Sequence, residues 1–301
     1  MKYKFGYIAV VGKPNAGKST LVNFLTKNKV AIVSPKAQTT RNNILGILTT
    51  QTYQLVFIDT PGVHKSKNAL DKFMNKNIRS AQSGADIIVY VIDATKKIGQ
   101  EEIDYIKNLK QKFDVPVVVV LNKVDIFKKE NLLPMISVLA QSCSVDEILP
   151  ISAKQGENTE KLLNLFLDFL PGSEQKNFAY DEDYYTDKSL KFIISEIVRE
   201  KALYYLNDEI PHGISVNITN FTQKPNLCVV EADIICERDS HKSIIIGKKG
   251  SMIKKIGESA RKDIEDITQT QVLLKLFVKV KKDWRENLNF LTEFGYKNED
   301  L

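Results

Sequence analysis

Cysteine is scarce, three in 301 residues, and Cys143, Cys228 and Cys236 share no metal-ligand spacing with a histidine. That excludes a disulfide framework and a thiolate metal site, and leaves reduced thiols with a packing role. Long hydrophobic runs are also missing. Ile87–Ile92 and Val115–Leu121 are far shorter than the ~20 residues that span a bilayer, and Asp86, Asp93 and Pro116 sit at or inside their edges. Near the N-terminus only Ile8–Val11 is apolar before Gly12 and Lys13 interrupt, too short for the core of a secretion signal. A soluble, cytoplasmic protein is the expectation. There is no internal repeat and no low-complexity segment, and 43% hydrophobic with 27% charged residues excludes a disordered chain. At ~100–200 residues per domain the length fits two domains.

The net charge of +6 is modest but unevenly placed. Between His241 and Arg285 there are twelve Lys/Arg against five acids, so this segment carries +7 and the rest of the chain −1. A local excess of this kind marks contact with a polyanion, nucleic acid or an anionic membrane face, or else a solvated lysine-rich surface. Charge alone does not choose.

From residue 5 to about 170, short β-branched runs alternate with helical patterns, as in a parallel sheet covered by helices. The strands fall at Tyr7–Val11, Ile44–Thr50, Gln54–Asp59, Ile87–Asp93, Val115–Leu121 and Ile148–Ile151. The second and third are too close for a crossover helix and pair antiparallel, which gives a mixed six-stranded sheet. Pro171-Gly172 stops the last helix, and 173–187 is acidic, aromatic and aperiodic. The domains are therefore placed at 1–171 and 188–301, joined by a linker at 172–187. The second begins with a helix over Leu190–Leu206 and a hairpin of Gly213–Phe221 with Leu227–Ile235. A Gly-Lys-Lys-Gly turn between helical segments follows, then a strand whose Val272, Leu274, Leu276, Val278 and Val280 oppose Lys275, Lys279 and Lys281.

Gly12-Lys13-Pro14-Asn15-Ala16-Gly17-Lys18-Ser19 follows a strand and opens a helix, the setting of a phosphate-binding loop. Its backbone N–H groups and the helix N-terminus meet phosphates, Lys18 neutralises them, and the Ser19 hydroxyl suits Mg²⁺. Asn122-Lys123-Val124-Asp125 ends another strand. There the Asp125 carboxylate can accept from N1–H and the 2-amino group of guanine, a donor pair that adenine lacks. Ser152-Ala153-Lys154 can offer a backbone N–H to the guanine carbonyl. Asp59-Thr60-Pro61-Gly62 ends a third strand, with Asp59 near Mg²⁺ and the Gly62 N–H near the γ-phosphate.

This ordered set of motifs at strand ends resembles the translation-factor branch of Ras-like GTPases. The resemblance places a Mg²⁺-binding switch threonine in Gln38-Thr39-Thr40-Arg41, with Thr40 preferred and Thr39 the alternative. It also implies that Lys18, Thr40, Gly62 and Asn15 serve hydrolysis. Val63 stands where Ras-like enzymes carry the water-orienting glutamine, so slow intrinsic turnover is expected. Asn15 implies, by the same resemblance, a monovalent cation such as K⁺ beside the phosphates. His64, lone in a flexible loop, reads as a bystander.

Ile246-Gly247-Lys248-Lys249-Gly250 has the G-x-x-G form of a KH domain, and the order helix, two strands, helix–loop–helix, strand fits the type II arrangement. Lys248, Lys249, Lys254, Lys255 and Arg261 would meet a single-stranded RNA backbone, favoured over anionic membrane or an acidic protein. Trp284 and the aromatic C-terminus read as packing.

A Ras-like GTPase domain followed by a type II KH domain resembles the bacterial Era GTPases over nearly the whole chain. The likeness includes Lys36-Ala37-Gln38-Thr39-Thr40-Arg41, Tyr184-Tyr185-Thr186-Asp187, Ile197-Val198-Arg199-Glu200-Lys201, Lys279-Val280-Lys281-Lys282-Asp283-Trp284 and Phe294-Gly295-Tyr296. It implies a GTP/GDP-switched factor of small (30S) subunit assembly that binds the 3′ end of 16S rRNA. It further implies a monomer and a peripheral association with the inner face of the cell membrane. The competing readings are a nucleotide-stabilised RNA-binding module with incidental turnover, and a membrane-associated cell-cycle GTPase.

Overall fold

The computed structural model describes residues 2–36 and 38–296; Ala37 of the Lys36–Arg41 run and residues 297–301 of the C-terminal domain lie outside the described residues. Two compact units emerge. One comprises the chain to Ala31, Thr40–His64 and Met74–Asp187; the other comprises Ile32–Thr39, Lys65–Phe73 and the chain from Lys188.

In chain order the first unit has β1 (Tyr3–Val11), α1 (Lys18–Thr26), β2 (Ile44–Thr49), β3 (Tyr53–Asp59), α2 (Ala69–Ser83), β4 (Ile87–Asp93), α3 (Gln100–Lys112), β5 (Val117–Asn122), α4 (Leu132–Cys143), β6 (Glu147–Pro150), α5 (Thr159–Phe169) and β7 (Gly172–Ser173). The start of α2 groups with the second unit. The strands run β2-β3-β1-β4-β5-β6, all parallel except β2 against β3. β4 and β5 are buried along their whole length, which is why they read as unbroken apolar runs rather than alternating ones. The sheet has seven strands, not six, because Gly172 and Ser173 pair antiparallel with Lys4 and Tyr3. A two-residue strand has no periodicity to detect.

The 172–187 segment is pinned at several further points. The Gln54 amide, fully buried, donates to the Tyr180 carbonyl and accepts from the Ala179 and Tyr180 N–H groups. On the free edge of β2, Ile47 N–H donates to the Tyr185 carbonyl and Leu45 N–H to Asp187. The edge that would invite another chain is thus covered by the protein's own.

In the second unit, α6 (Leu190–Tyr205), β8 (Ser215–Lys224), β9 (Leu227–Cys236), α7 (Asp239–Ile246), α8 (Ser251–Thr268), β10 (Gln271–Val280) and α9 (Leu288–Glu293) build a three-stranded sheet of order β10-β9-β8, with β10 parallel to β9. Its core joins Ile194, Ile197 and Val198 of α6 to Val230, Ala232 and Ile234 of β9 and to Ile256, Ala260 and Ile264 of α8. Each buried aliphatic side chain contributes about 1.5–3 kcal/mol. Trp284 is fully buried, donates from Nε1 to the Gly213 carbonyl and stacks on Tyr296. Among the described residues no helix is long and apolar enough to cross a membrane.

Candidate functional site

Four strand ends converge at one end of the first sheet, the C-terminal end of its parallel strands. After β1 the chain turns at Gly12, φ 146°, where a Cβ would come within 2.3 Å of the Val91 carbonyl oxygen. Gly17, φ 98°, opens α1, and a Cβ there would strike the Asn122 amide at 2.2 Å. Both glycines are therefore required by space as well as by backbone conformation. Lys18 is buried and donates from Nζ to the Gly12 and Lys13 carbonyls across the loop. Burial lowers its pKa to about 8, against the attraction of Asp59, so the ammonium is short of counter-charge. An incoming phosphate supplies that charge.

Ser19, Thr40 and Asp59 meet. Ser19 Oγ donates to Asp59 Oδ2 at 2.6 Å, Thr40 Oγ1 donates to the same oxygen at 3.2 Å, and the two hydroxyls lie 2.9 Å apart. Thr39 points elsewhere, its hydroxyl donating to the Lys36 carbonyl at 2.7 Å. Of the two candidate threonines, Thr40 is the one at the site. Burial raises the Asp59 carboxyl to about 6 despite hydrogen bonds from Ser19 and Thr40 and the Lys18 charge. Its Oδ1 is buried with no hydrogen-bond partner among the described residues. A hard oxygen donor set with one orphaned carboxylate oxygen fits Mg²⁺. Such an ion would be held by Ser19, Thr40 and Asp59, and its contribution is to neutralise charge developing on the β- and γ-phosphates.

Thr60 is buried with its hydroxyl donating to the Val10 carbonyl, which fixes the turn after β3 through Pro61. A Cβ on Gly62 would lie 2.7 Å from the Pro14 ring, so only glycine lets this N–H approach the phosphate loop. Val63 donates its N–H to the Gly12 carbonyl and packs against the apolar cluster of β4, β5 and α3. It offers no group to a water. His64 Nδ1 donates to the Gly62 carbonyl at 2.8 Å.

The base end is organised by Asn122, Lys123 and Ser152. Asn122 Nδ2 donates to the Ala16 carbonyl, while its Oδ1 accepts from the Lys123 and Ala153 N–H groups. Lys123 holds a positive φ of 71° that orients the turn, while Val124 is buried beneath. Asp125 is exposed at the mouth, and buried Ser152 donates to its Oδ1 at 2.7 Å. The carboxylate is thus held in place yet keeps Oδ2 for a ligand. Because the Ala153 N–H is spent on Asn122, the Lys154 N–H is the donor of this loop without a partner among the described residues.

In the second unit the Gly247–Gly250 turn joins α7 to α8. Gly247, φ 73°, is sterically required, since a Cβ would lie 2.7 Å from that of Met252. Gly250, φ 79°, faces open space. Lys248 and Lys249 are exposed, Ile246 half-buried behind them. Beside the turn runs a groove of about 360 Å³ lined by Ile253, Leu274 and Leu276 together with Lys254, Arg261 and Glu258, whose carboxylate lies 3.9 Å from the Lys254 ammonium. Apolar side chains together with cations suit unstacked bases and their phosphates. Lys255 is not in the groove: its Nζ lies 4.5 Å over the Tyr205 ring. The lysine face of β10 is also not a free cationic surface, because Lys275 pairs with Glu231 and Lys279 with Asp233. Glu231 stands opposite Lys275, and Asp233 lies two residues before Ile235, the partner of Lys279, in the parallel β9–β10 register, which sequence alone does not give.

Residues 7–123 match the model of a 50S ribosome-binding GTPase family, and residues 209–285 that of a KH domain. GTPase Era of Caldanaerobacter subterraneus subsp. tengcongensis is 43% identical over 298 residues, spanning 98% of this chain and 99% of the relative. GTPase Era of Clostridium botulinum strain Eklund 17B is 44% identical over 296 residues, with the same coverage. The chain belongs to the Era GTPase family. Two solved structures superpose with a TM-score of 0.93 at 39% identity, each over 98% of this chain and 100% of its own. One is Era in complex with MgGDPNP and nucleotides 1506–1542 of 16S ribosomal RNA; the other is a variant of Aquifex aeolicus Era bound to GDP·AlF4⁻.

Two side chains of this family member, Asp93 and Glu102, support the site without having been found from the sequence. Asp93, at the end of β4, accepts from Lys123 Nζ at 2.7 Å and from the Thr95 hydroxyl at 2.6 Å. Its signal was available, since it too ends a strand of the parallel sheet. Glu102 of α3, 5% exposed, pairs with Lys13 Nζ at 2.8 Å and accepts from the Tyr90 hydroxyl. In the second unit, Arg199 of α6 is a fully buried cation. Glu102 lies in an ordinary helical pattern and carries no local signal, and the Ile197–Lys201 run that carries the family likeness does not show that Arg199 is buried.

Proposed function

We propose that this chain binds GTP with Mg²⁺, hydrolyses it slowly, and binds the 3′ end of 16S rRNA through its KH domain as a cytoplasmic factor in assembly of the 30S subunit. The observation that carries this reading is the presence in one chain of two built sites. Asp125 is oriented by Ser152 to read guanine, and an open G-x-x-G turn stands beside a groove lined by apolar side chains together with Lys254 and Arg261. An Era structure of the same architecture holds MgGDPNP and a 16S rRNA fragment.

Within the phosphate loop, Lys18 counters the phosphate charge and Gly62 offers its N–H. Val63 leaves the attacking water without a side-chain partner at that position, so turnover is slow until bound RNA orders the switches. Asn15 assists by helping to hold K⁺ near the phosphates. Its positive φ of 63° and the Lys123 contact to its carbonyl fix it at the loop's outer turn. Equal hydrolysis rates in K⁺ and Na⁺, with RNA present, would remove that role. The exposed lysines of the turn also serve a peripheral contact with the cytoplasmic face of the membrane. Flotation with anionic vesicles checks this: binding is lost on Lys248→Glu with Lys249→Glu if the turn is responsible, and its survival assigns the contact elsewhere.

The experiment is crosslinking to total cellular RNA, with the protein loaded with GDPNP or GDP, followed by sequencing. Reads concentrated at the 3′ end of 16S rRNA and only in the GDPNP state are the expected result. Scattered reads, equal in both states, would overturn the proposal.

A further inference from the structure

Arg199 lies in the middle of α6, the helix that opens the RNA-binding module, and is 1% exposed. A buried guanidinium is costly unless paired and hydrogen-bonded, and an aliphatic residue of similar volume would serve the core as well. Its contacts are specific. Nε and Nη2 form a fork on the Glu196 carboxylate, one turn earlier in the same helix, and Nη2 also donates to the carbonyl of Thr39. Nη1 is buried without a partner among the described residues. The arginine is thus preorganised by Glu196, and Nη2 carries a second bond to a single backbone oxygen.

That oxygen belongs to a segment held by α6 and by Asn207 just beyond its end. Ile32–Thr39 groups with the second unit. Val33 N–H donates to the Glu200 carboxylate at 2.9 Å, and Lys36 Nζ donates to Asn207 Oδ1 at 3.3 Å. The Glu200 carboxylate also pairs with Lys201, whose ammonium lies 2.6 Å from Asp263 of α8, the helix that starts at the Gly247–Gly250 turn. The segment's last residue is Thr39, and the next in the chain is Thr40, whose hydroxyl meets Ser19 and Asp59. Fixing the Thr39 carbonyl fixes the peptide plane it shares with the Thr40 N–H and Cα, and so the point from which the Thr40 side chain departs.

We infer that Arg199 is a positioning residue for hydrolysis: by holding the Thr39 carbonyl it sets the placement of Thr40 at the Mg²⁺ site. The inference rests on the reading of Ser19, Thr40 and Asp59 as that site. A switch threonine responds to the γ-phosphate and its Mg²⁺, so the nucleotide that senses Arg199 is the triphosphate and not GDP.

The test uses the full chain with fluorescent GDP and GDPNP in Mg²⁺. The variants are Glu196→Gln with Arg199→Gln, which removes the pair without stranding a charge, and Arg199→Lys, which keeps the charge but not the fork. In both, GDPNP affinity and kcat fall by about tenfold, the scale of one lost charge-assisted hydrogen bond, while GDP affinity holds. Thr40→Ala lowers GDPNP affinity on its own, and adding Arg199→Lys to it causes no further loss, because the arginine acts through the threonine. Arg199→Lys also keeps the question open to measurement if the double glutamine variant does not fold. Equal losses for GDP and GDPNP, or the same tenfold loss in the Thr40→Ala background, would overturn the inference. Absence of guanine-nucleotide binding by the unaltered chain would instead overturn the functional reading beneath it.

Discussion

Lys123 Nζ lies 2.7 Å from Asp93 Oδ2 and 2.8 Å from the Asn15 carbonyl, so one ammonium ties the end of β4 to the guanine-reading turn and to the phosphate loop. The half-buried lysine bridges two parts of the nucleotide site that are separate in sequence.

Replacing Asp93 by Asn leaves that ammonium without its carboxylate. Nucleotide affinity is expected to weaken by about tenfold for GDP and GDPNP alike, the scale of a charge-assisted hydrogen bond. Equilibrium titration of both nucleotides checks this, and a loss confined to one would point away from a shared clamp.

The same carboxylate gives stability a pH dependence. Burial alone would push Asp93 up, but the hydrogen bonds from Lys123 and Thr95 and the Lys123 charge outweigh it and hold the group below the usual carboxylate range. With the folded-state value depressed, the stabilisation is complete above the unfolded value of about 3.9 and is lost as pH falls through the folded value. Denaturation midpoints should therefore separate Asp93→Asn from the parent at neutral pH and converge in strong acid.

Much of this site was legible because its chemistry sits where chain geometry leaves a mark. Gly12, Asp59 and Asp125 follow β-branched runs, so their position at strand ends could be read from periodicity. Thr40 could not be separated from Thr39 that way. What decides is that the Thr39 hydroxyl closes locally on Lys36 while Thr40 reaches a carboxylate 19 residues on. The roles of Arg199 and Glu102 were invisible for a related reason: a helical pattern shows which face is buried, not which backbone oxygen a buried cation will meet. The lysines of β10 misled in the opposite direction. Alternation placed them correctly on one face, but their neutralisation by Glu231 and Asp233 depends on strand register.

Thr40→Ala and Thr39→Ala separate the two hydroxyls by experiment. The first removes a hard oxygen donor from the Mg²⁺ site and is expected to lower GDPNP affinity by at least about tenfold while sparing GDP. The second removes a loop hydrogen bond worth about 1 kcal/mol and changes the two affinities by similar, small factors. Reversal of this order in Mg²⁺ titrations would return the metal role to Thr39.

Asp125→Asn exchanges an acceptor for a donor where guanine presents N1–H and its 2-amino group. A site that reads by hydrogen bonds loses about 10⁴-fold when its partner is mismatched, so GTP affinity should fall by orders of magnitude. A xanthine nucleotide, which offers a carbonyl at position 2, recovers part of it. Retained GTP affinity would show that Asp125 does not face the base.

Lys248 and Lys249 are exposed on a turn whose second glycine, Gly250, faces open space, so a phosphate backbone can come close to them. If each lysine neutralises one phosphate of a single strand, changing both to Gln removes about 1.4 from the slope of log affinity against log salt, at ~0.7 per contact. The loss is uniform across RNA sequences, because phosphate contacts carry no base information. Gly250→Ala acts differently. Open space around the residue means no clash, and the left-handed φ of 79° costs an alanine about 1–2 kcal/mol in fold stability, while the added methyl stands where the backbone must approach. RNA affinity therefore falls with the salt slope unchanged. Filter binding across a salt series distinguishes the two, and an unchanged slope in the lysine variant would place the RNA backbone away from this turn.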